Sequence, residues 1–375
     1  MENVASSWLT VPSAALERAR RLADAFETFT GVPVDAAELV GGRAALLGLS
    51  PDGRVSAGGA TRLLQSRDGW CALTLARPED IAAVPALVAA DRVDEPWPAV
   101  QDWVAGNDAV DVAERARLLG LPVAALAETP AEPSRVYPFG AGTATRGPAG
   151  LLVADLSAMW AGPLCGQLLS RAGAIVVKVE SAARPDGARR GPQPFFDWMN
   201  TGKLSYEVDF DEPAGLRALL TAADVVIESS RPAALIRRGL APTDIPPRDG
   251  RVWLRVTGHG TDGDRANWVA FGDDAAVSGG LVCGAPDDPA FCGDAIADPL
   301  TGLEAALAVV QSLRSGGGEL IEMSMAAVAA TYAELPREDQ SPCAITPQPS
   351  QPAAPLGADN EEVEELIRQR RFVPC

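Results

Sequence analysis

Histidine is almost absent. His259 stands alone among 375 residues, so chemistry that needs two imidazoles, such as an H-E-x-x-H zinc site, is excluded. The six cysteines, Cys71, Cys165, Cys283, Cys292, Cys343 and Cys375, include no C-x-x-C pair. They read as reduced thiols, with neither a metal site nor a disulfide framework expected. No window approaches the ~18 uncharged apolar residues of a membrane span, and the opening MENVASSWLTVP lacks the basic and apolar regions of a leader. A cytoplasmic protein with no membrane partner is expected. Positive charge is also short: Lys+Arg 32 against Asp+Glu 50 gives −18, a field that repels polyphosphate chains and speaks against nucleic acid as a partner. In the turn LSAMWAGPLCGQ neither G-x-G-x-x-G nor the P-loop pattern occurs.

What is present is enough chain for two or three domains, at roughly 100 to 200 residues each. Two breaker-rich stretches, TPAEPSRVYPFGAGTATRGPAG and SPCAITPQPSQPAAPLG, divide it. The reading is a small α+β domain over residues 1–128, a linker over 129–150, a Rossmann-like domain over 151–332, a Pro-rich linker over 333–357 and a C-terminal helix over 358–375. In the leading segment ALERARRLADAF, PAVQDWVAG and VAERARLLG look helical and GWCALTL looks like a strand. In the central one the strand candidates LLVADLS, AIVVKVE, ADVVIESS, RVWLRVTG and ELIEMSM alternate with helical runs. That alternation predicts an α/β, doubly wound parallel sheet, which binds ligands beyond the carboxyl ends of its strands.

Several residues could carry chemistry at that edge. In LSAMWAGPLCGQ, Gly162 and Pro163 fall where a helix begins, so backbone N–H groups can face an anion, or the pair simply shapes a tight turn. Lys178, Arg184, Arg189, Arg190, Lys203, Arg231, Arg237 and Arg238 recur in or near loops after strands, a local concentration that suits a phosphorylated ligand of modest size. Asp298 precedes Pro299 at a helix start. This is ordinary for an N-cap, and equally a place where N–H groups and the helix dipole hold a nucleophilic carboxylate ionised. His259 lies between glycines after a strand, as a bystander or as a site residue.

Taken in order, LLVADLSAMWAGPLCGQLLSRAGAIVVKVE, FFDWMNTGKLSYEVDF, ADVVIESSRPAALIRRGL, VTGHGTDGDRANWVAFGDD and DPLTGLEAALAVVQSLRSGGGELIEMSM resemble the family III CoA-transferases, which include formyl-CoA transferase, carnitine CoA-transferases and α-methylacyl-CoA racemases. The resemblance implies that Asp298, in DPLTG, is the catalytic aspartate. It implies coenzyme A contacts at Trp160 and Ala161, at Lys203, at Arg231 and at Arg237, and it places His259 where transferases carry an aromatic residue near the reacting carboxyl groups. Some members have a basic residue where Ser181 stands. VSAGGATRLLQSRDGWCALTLARPED resembles the opening of the family's small domain, with Gly58 and Gly59 as its glycine loop, so that domain is expected to have moved ahead of the sheet. The function implied is transfer of coenzyme A from an acyl-CoA donor to a small carboxylic acid acceptor, by a homodimer, without metal or redox cofactor. A CoA-thioester racemase and a non-catalytic, CoA- or partner-binding member remain alternatives.

Overall fold

The structure is a computed structural model that describes residues 9–371 apart from 338, 344 and 350. The first eight residues of the opening segment, Cys375 and the last residues of the expected C-terminal helix lie outside the described residues. The chain starts with β1 (Thr10–Pro12), α1 (Ser13–Thr30) and α2 (Ala36–Leu47). A small module follows: β2 (Thr61–Gln65), β3 (Trp70–Thr74), α3 (Pro78–Val88), α4 (Pro96–Ala105), α5 (Ala109–Leu118) and β4 (Val123–Ala125). Next come β5 (Arg135–Pro138), β6 (Leu152–Asp155), α6 (Ala161–Arg171), β7 (Ile175–Glu180), α7 (Gln193–Asn200), β8 (Leu204–Glu207), α8 (Ala214–Ala222), β9 (Val225–Glu228), α9 (Pro232–Ile236) and β10 (Val252–Thr257). The chain continues through α10 (Gly272–Ser278), β11 (Cys283–Ala285), β12 (Asp288–Ala290), α11 (Ala297–Arg314), β13 (Glu319–Ser324), α12 (Met325–Ala333), β14 (Gln340–Pro342) and α13 (Asn360–Arg371).

The main sheet has seven strands in the order β5-β13-β10-β9-β6-β7-β8, all parallel except the antiparallel edge strand β5. Counted along the chain, its six parallel strands give the Rossmann order, which reverses between β6 and β9 and opens a crevice at their carboxyl ends. The α/β expectation holds, and the strand candidates quoted above form β6, β7, β9, β10 and β13. Two strands went unread. LSYE, now β8, is too short and polar to announce itself, and β5 lies inside the stretch read as a linker, where it pairs with β13.

Why the strands bury is visible in their composition: β6 and β9 are apolar or β-branched nearly throughout and buried at every residue, as strands covered on both faces must be. Helices α6 and α11 pack on one face. A Cβ on Gly302 would lie 2.7 Å from the Ala161 carbonyl oxygen, so glycine there sets how closely they approach. Helix α1 presents Ala15, Leu16, Ala19, Ala23 and Phe26 at helical spacing and ends on Gly31 in the left-handed region. It joins α2 in the same core as Val153, Ile227 and Leu303, so residues 9–47, read with the leading domain, are built into the large core. The small module closes its own core of Leu64, Leu73, Val84, Leu87, Val104 and Val112, and meets the rest through Trp70, Val277 and Phe291. Val363 and Ile367 of α13 dock beside Leu216 and Leu219 of α8.

Candidate active site

The turn between β6 and α6 lies at the sheet's switch point and rests on two buried ion pairs. The chain holds only two lysines, against 30 arginines, and both lie beneath this turn. Lys203 Nζ sits 2.8 Å from Asp155 Oδ2 and 2.8 Å from the Pro163 carbonyl oxygen. Lys178 Nζ sits 2.7 Å from Asp186 Oδ2 and also donates to the Ser157 carbonyl oxygen, while Asp186 Oδ1 accepts the Met159 N–H at 3.0 Å. Burial raises the Asp155 and Asp186 carboxyls, but the lysines overcome it and hold both below the usual carboxylate range. Lys203, a candidate ligand contact, is therefore buried with its ammonium among internal partners. Trp160 is buried as well, its ring edge-on to Phe195 at 5.3 Å and to Trp198 at 6.4 Å. What this turn offers is backbone: the Ala161 N–H donates to Asp298 Oδ1 at 3.3 Å.

Crossover helices run back from the carboxyl edge, so the start of α11 sets Asp298 beside the crevice. The expectation of an N-cap is corrected: Ile296 precedes the helix, and Asp298 is its second residue. Its own helix therefore does not cap it, and the carboxyl reaches across to α6 instead. The expectation that N–H groups and the dipole hold it ionised also fails. Enclosure by protein pushes the half-buried Asp298 up to about 7, with Asp273 and Asp294 adding to the rise and the Ala161 N–H and Arg43 opposing it. Burial likewise takes Asp273 up to about 6 and Asp274 up to about 8, and raises Asp294. Arg43 Nη1 pairs with Asp294 Oδ1 at 2.6 Å, and Asp273 Oδ1 accepts the Ala295 N–H at 3.0 Å ahead of the helix. Gly272 is required here, because a Cβ would lie 2.3 Å from Asp298 Oδ2.

The glycine loop comes to this cluster from the small module. Ser56 hydrogen-bonds Asp273, and a Cβ on Gly58 would stand 3.3 Å from Arg43 Nη2. Gly59 adopts φ +76° with open space around it. His259 is not in this group, for no hydrogen bond joins it to Asp298 and the charges acting on the two have no member in common. It is buried at the carboxyl edge by β10, with Nδ1 3.4 Å from Ser278 Oγ, its ring edge-on to Trp268 and Nε2 unpartnered among the described residues. With Thr257, Arg265, Glu322 and Ser324 it lines a cavity of about 260 Å³. Burial, then Arg117 and Arg265, lower it to about 3, so it is neutral at pH 7.

The basic loop residues separate into two sets. Arg189 is taken by Glu180 at 2.7 Å and Arg238 by Asp211 at 3.3 Å. Arg184, Arg190, Arg231 and Arg237 are exposed after β7 and β9 and carry no ion pair among the described residues, so they are the guanidinium groups able to hold phosphate. Sequence reasoning missed Arg43, Asp294 and Gly272. Arg43 and Asp294 are far apart in the chain and only the fold pairs them. The D-D pair after Gly272 was legible as text but not as a neighbour of Asp298.

By fold this is a doubly wound α/β protein of Rossmann strand order, and by site it is one that encloses a carboxyl group, pushed up to about 7, at the edge of its crevice. The sequence model of CoA-transferase family III matches residues 149–353, more than half of the chain, and the protein belongs to that family. It is 31% identical over 191 residues to succinyl-CoA–D-citramalate CoA-transferase of Chloroflexus aurantiacus, covering 46% of this chain and 48% of that protein. It is 31% identical over 202 residues to succinate–glutarate CoA-transferase of Agrobacterium fabrum, covering 47% and 50%. The crystal structure of Rv3272 from Mycobacterium tuberculosis matches 50% of this chain and 56% of that one, at 30% identity and a TM-score of 0.45. The chain thus spans about half the length of the curated relatives it matches. None of the helices among the described residues is long and apolar enough to cross a membrane.

Proposed function

We propose that this protein is an acyl-CoA:carboxylate CoA-transferase with Asp298 as its nucleophile. The observation that carries the reading is Asp298 itself, a partly exposed carboxyl held up to about 7 beside the crevice of a family III sheet. A carboxylate stripped of most of its water attacks more readily than a hydrated one once it has lost its proton. Its Oδ attacks the thioester carbonyl, the C–S bond breaks, and a mixed anhydride and the CoA thiolate result. The thiolate then attacks Cγ of Asp298 and expels the donor acid, leaving an aspartyl-CoA thioester. The acceptor carboxylate repeats these steps in reverse, so that no atom is gained or lost by the enzyme.

The other assignments follow from the same reading. Arg231 and Arg237 bind the phosphates of coenzyme A, the turn at Trp160 and Ala161 meets the thioester end through its backbone, and Lys203 supports that turn from below. The exposed Gly58–Gly59 loop covers the intermediates and offers N–H groups to the oxyanion. His259 lines the neighbouring cavity as a neutral side chain. The small module stands for the family's small domain placed ahead of the sheet, and the working unit is a cytoplasmic homodimer whose substrates are an acyl-CoA and a small carboxylic acid, with no metal. The test is intact-protein mass spectrometry after incubation with a panel of acyl-CoA thioesters and hydroxylamine trapping. The expected result is an adduct at Asp298 that Asp298→Ala abolishes while coenzyme A still binds. Binding without any adduct refutes the transferase reading, and α-proton exchange in deuterated water would then identify a racemase.

A further inference from the structure

We propose that Arg43, carried by α2 of the leading segment, is the positioning residue that keeps Asp298 in its ionised, attacking form; this rests on the transferase reading. Arg43 reaches the site with one edge committed and one edge open. Its Nη1 pairs with Asp294 Oδ1 at 2.6 Å, and its guanidinium lies over the rings of Trp160 and Phe195 at 5.6 and 5.5 Å. Trp160 directly precedes Ala161, whose N–H holds Asp298, and Asp294 stands four residues before Asp298 in the turn that leads into α11. The pair and the stacked rings therefore fix the guanidinium beside the nucleophile. Its Nε and Nη2 find no acceptor among the described residues, and Nη2 points toward Gly58.

The charges that face Asp298 come from each element packed around it. Asp273 comes from α10, Asp294 from the turn before α11 and Arg43 from α2, while α6 supplies only the Ala161 N–H. Arg43 is the cation that opposes the rise of Asp298, and it also lowers Asp273 and Asp294. Three carboxyls gathered in one place retain their protons unless a positive charge opposes their mutual repulsion. Arginine suits the task better than lysine, because its planar cation stays charged when enclosed and stacks on aromatic faces.

The experiment follows the ¹³Cγ resonance of Asp298 against pH in aspartate-labelled protein, assigned with Asp298→Asn, alongside transfer rates. Wild type should titrate near 7. Loss of an opposite charge that acts on a carboxyl raises it by about one unit. In Arg43→Met the ionised fraction at pH 7 then falls from about one half to about one tenth. The transfer rate at pH 7 falls about fivefold and recovers at alkaline pH, with the KM for the acid unchanged, and Arg43→Lys restores much of the wild-type profile. Should Arg43→Met fail to fold, Arg43→Gln carries the test, since it keeps a polar side chain for Asp294 but removes the positive charge, and the Asp298 midpoint must rise. An unshifted midpoint in Arg43→Met overturns the proposal. If the KM for the acid also rises, the guanidinium holds the substrate instead. A shifted midpoint in a protein that transfers coenzyme A from no thioester sinks the transferase reading and leaves the charge pairing intact.

Discussion

Replacing Lys203 by methionine separates a lysine that binds a ligand from one that supports a turn. The ammonium and its partner carboxyl are among the most enclosed charges in the molecule, with side-chain exposures of 1% and 0% and 2.8 Å between them. Methionine keeps the length and apolar stem of the side chain but leaves Asp155 with only its local Ser157 contacts and the more distant charge of Lys178. Breaking a buried pair by removing one member costs about 3–5 kcal/mol, because the other charge stays buried without compensation. With a urea dependence of about 3 kcal/mol per molar, the unfolding midpoint should fall by at least about 1 M, read by fluorescence of the buried tryptophans. Adding Asp155→Leu should recover most of the loss, a coupling that additive effects cannot produce. Asp155 has a folded pKa below its unfolded one, so its contribution is present above the unfolded value and is lost as pH falls through the folded one. The gap between wild type and Lys203→Met should therefore be full at pH 7 and narrow below about pH 4. A loss under about 1 kcal/mol together with collapsed affinity for coenzyme A would refute this account and make Lys203 a phosphate ligand.

Three further outcomes are expected. Gly272→Ala puts a Cβ within 2.3 Å of both Asp298 Oδ2 and the Ala295 carbonyl oxygen, so it should displace the nucleophile, cut transfer at least about tenfold and lower stability by about 1–3 kcal/mol, measured by kinetics and urea unfolding. The imidazole of His259, lowered to about 3, should show no change in its ¹⁵N shifts from pH 8 to pH 5. Since the unfolded chain takes up that proton first, this residue makes stability decline as pH falls from about 6.5 toward 3. Charge reversal of Arg231 and Arg237 together should weaken coenzyme A binding by about tenfold or more in calorimetry, with little change in thermal midpoint, because both are exposed and carry no ion pair among the described residues. Unchanged affinity would move the phosphate site elsewhere.

The sheet was legible because its strands announce themselves. IVVKVE, VVIE and VWLRVT are β-branched runs that a buried parallel strand needs, and breakers separate them from helical text. The position of Asp298 at a helix start was legible too, from the proline beside it, but its ionisation was not. A cap would have held it acidic, whereas Asp273, Asp294 and the enclosing protein raise it, and those neighbours come from separate parts of the chain. Lys203 and Trp160 show the same limit. Local text cannot distinguish a loop lysine that meets solvent from one folded under its turn beside Asp155. Among the basic loop residues only the fold reveals which have found a carboxylate, Arg189 with Glu180, and which carry no ion pair among the described residues, as Arg231 and Arg237 do.

By itself, then, the sequence determined the alternation of strand and helix, the family-like order of its segments and the place of Asp298 in the first turn of a helix, because periodicity and breakers act over a few residues. Tertiary structure alone decided the electrostatics: which charges are paired, which carboxyls keep their protons, and that Arg43 meets Asp294. Those depend on burial and on distances between residues far apart in the chain, and burial and distance are created only when the chain closes on itself.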